Sequence, residues 1–181
     1  AQETLESANR NRITLPNNIA EEVTRIAGKS ISKLVEKLNL GKFIKKIGDY
    51  EVYENGEVFY RTMSKEHYDE LLRTNKIRAT GETTTSPNMT FSEGYEGILV
   101  HFKVKRGTIE KLENIGIASG NHPDILELHA TLKKDISPWN EKYARFKLEK
   151  GQVNIALGKG EALKIFNDNI LEFKFVKEIK K

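Results

Sequence analysis

The spacing of apolar residues along this chain changes several times, and each change marks an element. From Pro16 onward, Ile19, Val23 and Ile26 fall at helical spacing as far as Gly28, and Ile31, Leu34, Val35 and Leu38 make a second stripe between Ser30 and Gly41. The pattern predicts an N-terminal helical hairpin that cannot bury its stripe alone. The polar residues 1 to 15 ahead of it predict a frayed start. After Gly48 the period becomes two. Tyr50 to Tyr53 and Val58 to Arg61 flank Glu54, Asn55 and Gly56, and Asn-Gly between two such runs is a strong hairpin signal. Ser64 then stands where it can cap a helix carrying Tyr68, Leu71 and Leu72, which runs out near Asn75.

The stretch from Ala79 to Gly97 is dense in Thr and Ser, with Pro87 forbidding a helix through Ser86 and room for one helical turn over Phe91 to Tyr95. Ile98, Val100, Phe102 and Val104 next alternate with Leu99, His101 and Lys103, which predicts a half-buried strand with His101 on its solvent face. Residues 108 to 145 are harder to read. Asn121 to Asp124 predict a loop stopped by Pro123, and Trp139 sits in a predicted surface loop, either stacking on a partner or plugging the edge of the core. Strand patterns return with Phe146 and Leu148, break at Gly151, and resume with Val153, Ile155 and Leu157. A short helix from Glu161 to Phe166 and a last strand from Ile170 to Val176 follow. Strands outnumber helices, and they predict an α+β fold with a mainly antiparallel core split into two packed sheets.

Composition narrows the chemistry. A chain of 181 residues holds one elaborated domain, or one domain with an appendage, and we divide it into residues 1–48 and residues 49–181. The first segment is a structural cap or a delivery-associated linker. With no cysteine, disulfides, cysteine-type zinc sites and thiol nucleophiles are excluded. His67, His101, His122 and His129 lack HxxxH or HExxH spacing, so no metal is expected. The net charge of +4 lies wholly in residues 1 to 48, which carry nine Lys and Arg against five Asp and Glu, while the remainder is balanced at 21 against 21. That balance disfavours nucleic acid as a partner. No run reaches the length of a spanning helix, so no membrane association is expected of the mature domain.

One basic residue stands apart. Arg61 ends the run Val58, Phe59, Tyr60 and is therefore placed at or near the core, where a guanidinium needs a carboxylate or an anionic ligand.

The order of the pieces then becomes informative. FYRTMS before a helix, ATGETTTSP with Tyr95 nine residues beyond Ser86, a strand closed by Gly107 and Thr108, and FKLEKGQVNIALGKG followed by LKIFN together resemble the ADP-ribosyltransferase toxins of the arginine-serine-glutamate clan. The likeness is greater to the interbacterial TreTu group, toxin domains at the C-termini of polymorphic or contact-dependent inhibition effectors, and it covers about residues 57 to 176. It implies a split β-sandwich and NAD as co-substrate. It also implies that Arg61 grips NAD, that Thr85 and Ser86 form the serine motif, that Tyr95 lies against nicotinamide, and that Glu149 is the catalytic acid. Lys147 occupies a place where the family commonly has Glu or Gln, and Gln152 is the candidate to supply that amide. Glu161 is the alternative acid. The resemblance further implies a cognate immunity protein, delivery out of a producing bacterium, action in the cytoplasm of a recipient, and elongation factor Tu as the protein target. Two other functions remain open on the sequence: an NAD glycohydrolase with water as acceptor, and a non-catalytic binding or immunity-type module.

Overall fold

The computed structural model describes residues 6–9, 12–14 and 38–181. The chain divides into two units. In the smaller, Ala1–Leu38 with Lys174–Val176, β1 (Glu6–Asn9) and β2 (Arg12–Thr14) pair antiparallel, a hairpin that the polar sequence did not predict. The predicted helical hairpin falls almost entirely on residues outside those described. The larger unit, Asn39–Phe173 with Lys177–Lys181, contains everything that follows except residues 174–176 of the last strand.

Two five-stranded sheets organise it, in keeping with the α+β reading. The first has the order β12-β7-β5-β4-β3, with β3 (Phe43–Ile47), β4 (Tyr50–Tyr53), β5 (Gly56–Met63), β7 (Gly97–Val104) and β12 (Ile170–Ile179). The second runs β6-β11-β10-β8-β9, with β6 (Thr84–Thr85), β8 (Gly116–Ala118), β9 (Lys133–Lys134), β10 (Ala144–Glu149) and β11 (Gln152–Ala156). The pairs β3–β4, β4–β5, β5–β7, β6–β11 and β10–β11 are antiparallel, but β10–β8 and β8–β9 are parallel.

Local chemistry accounts for many of the boundaries. Val52 pairs with Glu57 and Tyr53 with Gly56, so Glu54 and Asn55 make the two-residue turn before β5. The helix α1 (Lys65–Thr74) starts at Ser64, whose hydroxyl accepts the His67 N–H, and stops at Asn75 in the left-handed conformation. A single turn, α2, covers Met89–Ser92 instead of Phe91 to Tyr95, because the Asn88 side chain caps it. Beyond β7 come α3 (Thr108–Asn114), α4 (Pro123–Leu128) and, before β12, α5 (Glu161–Asp168). Pro123 opens α4 where the sequence suggested a stop, since a proline at the first helical position sacrifices no hydrogen bond.

The core lies between the sheets. Phe59 packs on Tyr50 and Phe166 with ring centroids 4.7 Å and 5.0 Å away, and Phe102 meets Phe166 at 5.5 Å. Such edge-to-face and tilted pairs add to the burial of the rings themselves. Polar ties also bridge the sheets. The Tyr50 hydroxyl on β4 accepts the Ile155 N–H of β11 and lies 2.9 Å from Thr85 Oγ1 of β6, and Asp49 accepts the Val153 N–H.

One expectation is corrected. His101 is buried rather than solvent-facing: it is opposite Tyr60 in the β5–β7 register and stacks on its ring at 4.5 Å. Both faces of β7 are covered, and Lys103 is also buried, donating to Asn39 O and Glu172. Alternation identifies which side chains share a face, but not how many faces are covered.

Candidate functional site

The site begins where the two sheets part. β4 pairs with β5 only at its start, and farther along β5 that edge meets the segment after β6 instead, through reciprocal 2.9 Å hydrogen bonds between Tyr60 and Ser86. Side chains alternate along a strand, so Arg61 faces the same way as Phe59, toward the space between the sheets. There its Nη1 donates to the Thr84 carbonyl at 2.7 Å and Nη2 lies 3.5 Å from Thr80 Oγ1. The side chain is nearly buried, no carboxylate among the described residues pairs with it, and Nε has no hydrogen-bond partner. Burial alone pulls its pKa down to about 10. Of the two partners open on the sequence, an internal carboxylate is thereby ruled out among the described residues.

Arg61 opens onto a cleft of about 230 Å³ walled by Thr80, Glu82, Thr83, Thr84 and Thr85 on one side and Phe91, Ser92 and Tyr95 on another. This volume takes a compact part of a ligand, such as a phosphate with its sugar, and a longer molecule would continue over the rim. Tyr95 is more than half exposed and tilts against Phe91 at 5.5 Å, leaving one face of a ring open at the mouth. The Thr-rich segment is held from within: Thr83 Oγ1 donates to Gly158 O at 2.6 Å and Thr85 Oγ1 to Ile155 O at 2.9 Å.

Ser86 is fully buried and does not line the cleft. Its hydroxyl donates to Asn88 O at 2.7 Å and lies 2.8 Å from Ser92 Oγ, while Thr62 Oγ1 donates to Ser92 O. The turn after Pro87 is thus pinned to β5, and Ser86 acts on the cleft through Ser92.

Glu149 ends β10, and Gln152 opens β11 across the turn made by Lys150 and Gly151. Neither lines the cleft. Glu149 accepts from Asn154 Nδ2 at 2.9 Å, Gln152 donates to Asn154 Oδ1 at 2.7 Å, and Gln152 Oε1 accepts from Asn88 Nδ2 at 2.7 Å. A continuous chain of polar contacts therefore runs from Glu149 through Asn154, Gln152 and Asn88 to Ser86. Glu161, the alternative acid, stands in the first turn of α5, outside both this chain and the cleft wall.

Sequence reasoning singled out Arg61, Thr85, Ser86, Tyr95, Glu149 and Gln152; the fold puts Arg61, Thr85 and Tyr95 on the cleft and joins Ser86, Glu149 and Gln152 in the polar chain outside its lining. It missed Asn88, Asn154, Glu82 and the role of Lys147. Asn88 had a visible signal as a capping residue after Pro87. Glu82 had none, because its partner Lys147 lies 65 residues away, and Asn154, whose partners Glu149 and Gln152 are close in sequence, reads as one more polar position of an alternating strand.

Among the described residues no group of His, Asp and Glu is arranged to hold a metal ion, and no helix is long and apolar enough to cross a membrane. No curated protein matches the sequence. The family model of the PT3 toxin domain matches residues 55–175, a span that starts at the β4–β5 turn, ends in β12 and includes Arg61, the Thr-rich segment and the Glu149 hairpin; the chain belongs to this family of toxin domains.

Proposed function

We propose that this toxin domain transfers ADP-ribose from NAD to a protein in a recipient bacterial cell, with elongation factor Tu as the expected target and arrest of translation as the outcome. The observation that carries the reading is Arg61: a buried guanidinium held by a backbone carbonyl and a hydroxyl, with no carboxylate partner among the described residues, at the wall of an open cleft. A planar cation so placed lacks its counter-charge until an anion such as a diphosphate arrives.

The rest of the site fits that chemistry. Loss of nicotinamide from the ribose builds positive charge on the sugar carbon, and a carboxylate nearby stabilises it. Glu149 is the residue for that task, oriented by Asn154. Nicotinamide departs neutral and needs no general acid, and Tyr95 offers an exposed ring at the mouth. Gln152 would orient the attacking side chain of the target. A cognate immunity protein would protect the producer by covering the cleft near Arg61 and Glu149.

The test is to incubate the protein with labelled NAD and a bacterial lysate beside a Glu149→Gln control, following protein label and free nicotinamide. One labelled band near the mass of elongation factor Tu, absent in the control, is the expected result. Nicotinamide release with no labelled protein would make water the acceptor and the domain an NAD glycohydrolase. Silence in both channels would overturn the NAD reading and favour a binding module.

A further inference from the structure

We infer that Lys147 is a positioning residue that fixes Glu149 to the wall of the Arg61 cleft. In its activity arm this inference rests on the role given to Glu149 above. Three contacts converge on one ammonium group: Lys147 Nζ donates to Glu82 Oε1, lies 3.3 Å from Thr84 Oγ1, and lies 3.5 Å from Glu149 Oε2. Glu82 and Thr84 line the cleft, and Glu149 does not. Thr84 also gives its carbonyl to Arg61. Lys147 is therefore a direct link between the acid on the β10–β11 hairpin and the segment that holds the guanidinium.

The position favours a directing role over an incidental surface pair. The Lys147 side chain is only 15% exposed, whereas that of Glu82 is 52% exposed, so the ammonium is the fixed member and Glu82 the adjustable one. Lys147 faces Asn154 in the β10–β11 register, and Asn154 grips the other oxygen of Glu149. Glu149 is thus held at both oxygens, one by an amide and one by an ammonium, a geometry that restricts its rotamers. The next cation on β10 toward its start, Arg145, is engaged by Asp135 and does not substitute for Lys147. Without the ammonium, Glu82 and Glu149 would repel each other across the vacated space, and Glu149 would swing away.

The experiment uses Lys147→Met, Lys147→Arg, Glu82→Gln and Glu149→Gln, alone and in pairs, in the full chain. With NAD as substrate, Lys147→Met is expected to lower kcat about ten-fold or more with KM within about two-fold, since misplacing a reacting group costs rate before binding. Lys147→Arg should recover most of it. In the Glu149→Gln background, Lys147→Met should cost nothing further. Losses that multiply, or a rise in KM at constant kcat, would overturn the inference.

The second arm does not depend on NAD. Urea unfolding of the same variants should show Lys147 coupled to Glu149 and to Glu82, each by about two- to five-fold in the unfolding constant. No coupling to Glu149 would overturn the inference whatever the ligand is. Should the wild type turn over no NAD, the proposed function fails, and this arm still decides the link. If Lys147→Met does not fold, Lys147→Arg and Glu82→Gln still supply both readouts.

Discussion

The hydroxyl of Tyr50 lies 2.9 Å from Thr85 Oγ1, and this contact ties the hairpin strand β4 to the Thr-rich segment of the opposite sheet. The same hydroxyl accepts the Ile155 N–H at 2.9 Å. Burial raises the Tyr50 pKa well above the ordinary phenol range, so the group stays neutral and keeps its proton to donate. Tyr50→Phe should then leave the Ile155 N–H without its partner, while the Thr85 hydroxyl keeps its bond to the Ile155 carbonyl, at a cost of about 1–3 kcal/mol. Urea denaturation with an unchanged slope would check it, and a loss below about 0.5 kcal/mol would show that water replaces the phenol oxygen.

Arg61 should be a liability to the free protein. Burial pulls its pKa down to about 10, so folding carries an uncompensated charge at every pH below about 10, and the penalty is relieved only as pH rises above that value. An apolar side chain of similar length avoids that cost but abandons the Thr84 carbonyl. Arg61→Met is expected to melt at or above the wild-type temperature while losing all stabilisation by pyrophosphate. Thermal melts with and without pyrophosphate measure both effects, and a pyrophosphate response that survives the substitution would place the anion elsewhere.

Glu57 offers a pH signature. Buried on β5, it accepts the Gly107 N–H at 2.7 Å and the Ile109 N–H at 2.8 Å, closing the start of α3. Desolvation raises its pKa above 4.5 despite those two bonds. The folded state therefore binds the proton more tightly than the unfolded chain. This contribution to stability is complete below the unfolded pKa and is lost as pH rises through the folded one. Glu57→Gln should remove that slope and also lower stability by about 1–3 kcal/mol, because one amide N–H would face a backbone N–H. Denaturation at a series of pH values above 4.5 would reveal both.

Ser86→Ala is predicted to act at a distance. It removes the bond to Asn88 O and strands Ser92 Oγ, which lies at the cleft wall. A stability loss of about 1 kcal/mol is expected. In the NAD assay kcat should fall with little change in KM, since Asn88 also holds Gln152. An unchanged kcat would make Ser86 a turn residue only.

What the sequence by itself determined was local. The Asn55-Gly56 signal located the β4–β5 hairpin, whose turn is Glu54 and Asn55, Ser64 and Asn75 bounded α1, Gly151 marked the turn between β10 and β11, and the apolar run into Arg61 announced a buried cation. Each rests on backbone preferences or side-chain periods that act over a few residues. The tertiary structure decided who answers whom. The Thr84 carbonyl meets Arg61 over 23 residues, Glu82 meets Lys147 over 65, and Tyr50 meets Ile155 over 105. It also decided that β7 is covered on both faces, which buries His101 and Lys103, and that Pro123 starts a helix. The reason is that a polar side chain carries no mark of its partner in its own neighbourhood. Its burial, its charge state and its use in chemistry are set when distant segments close on it and exclude water.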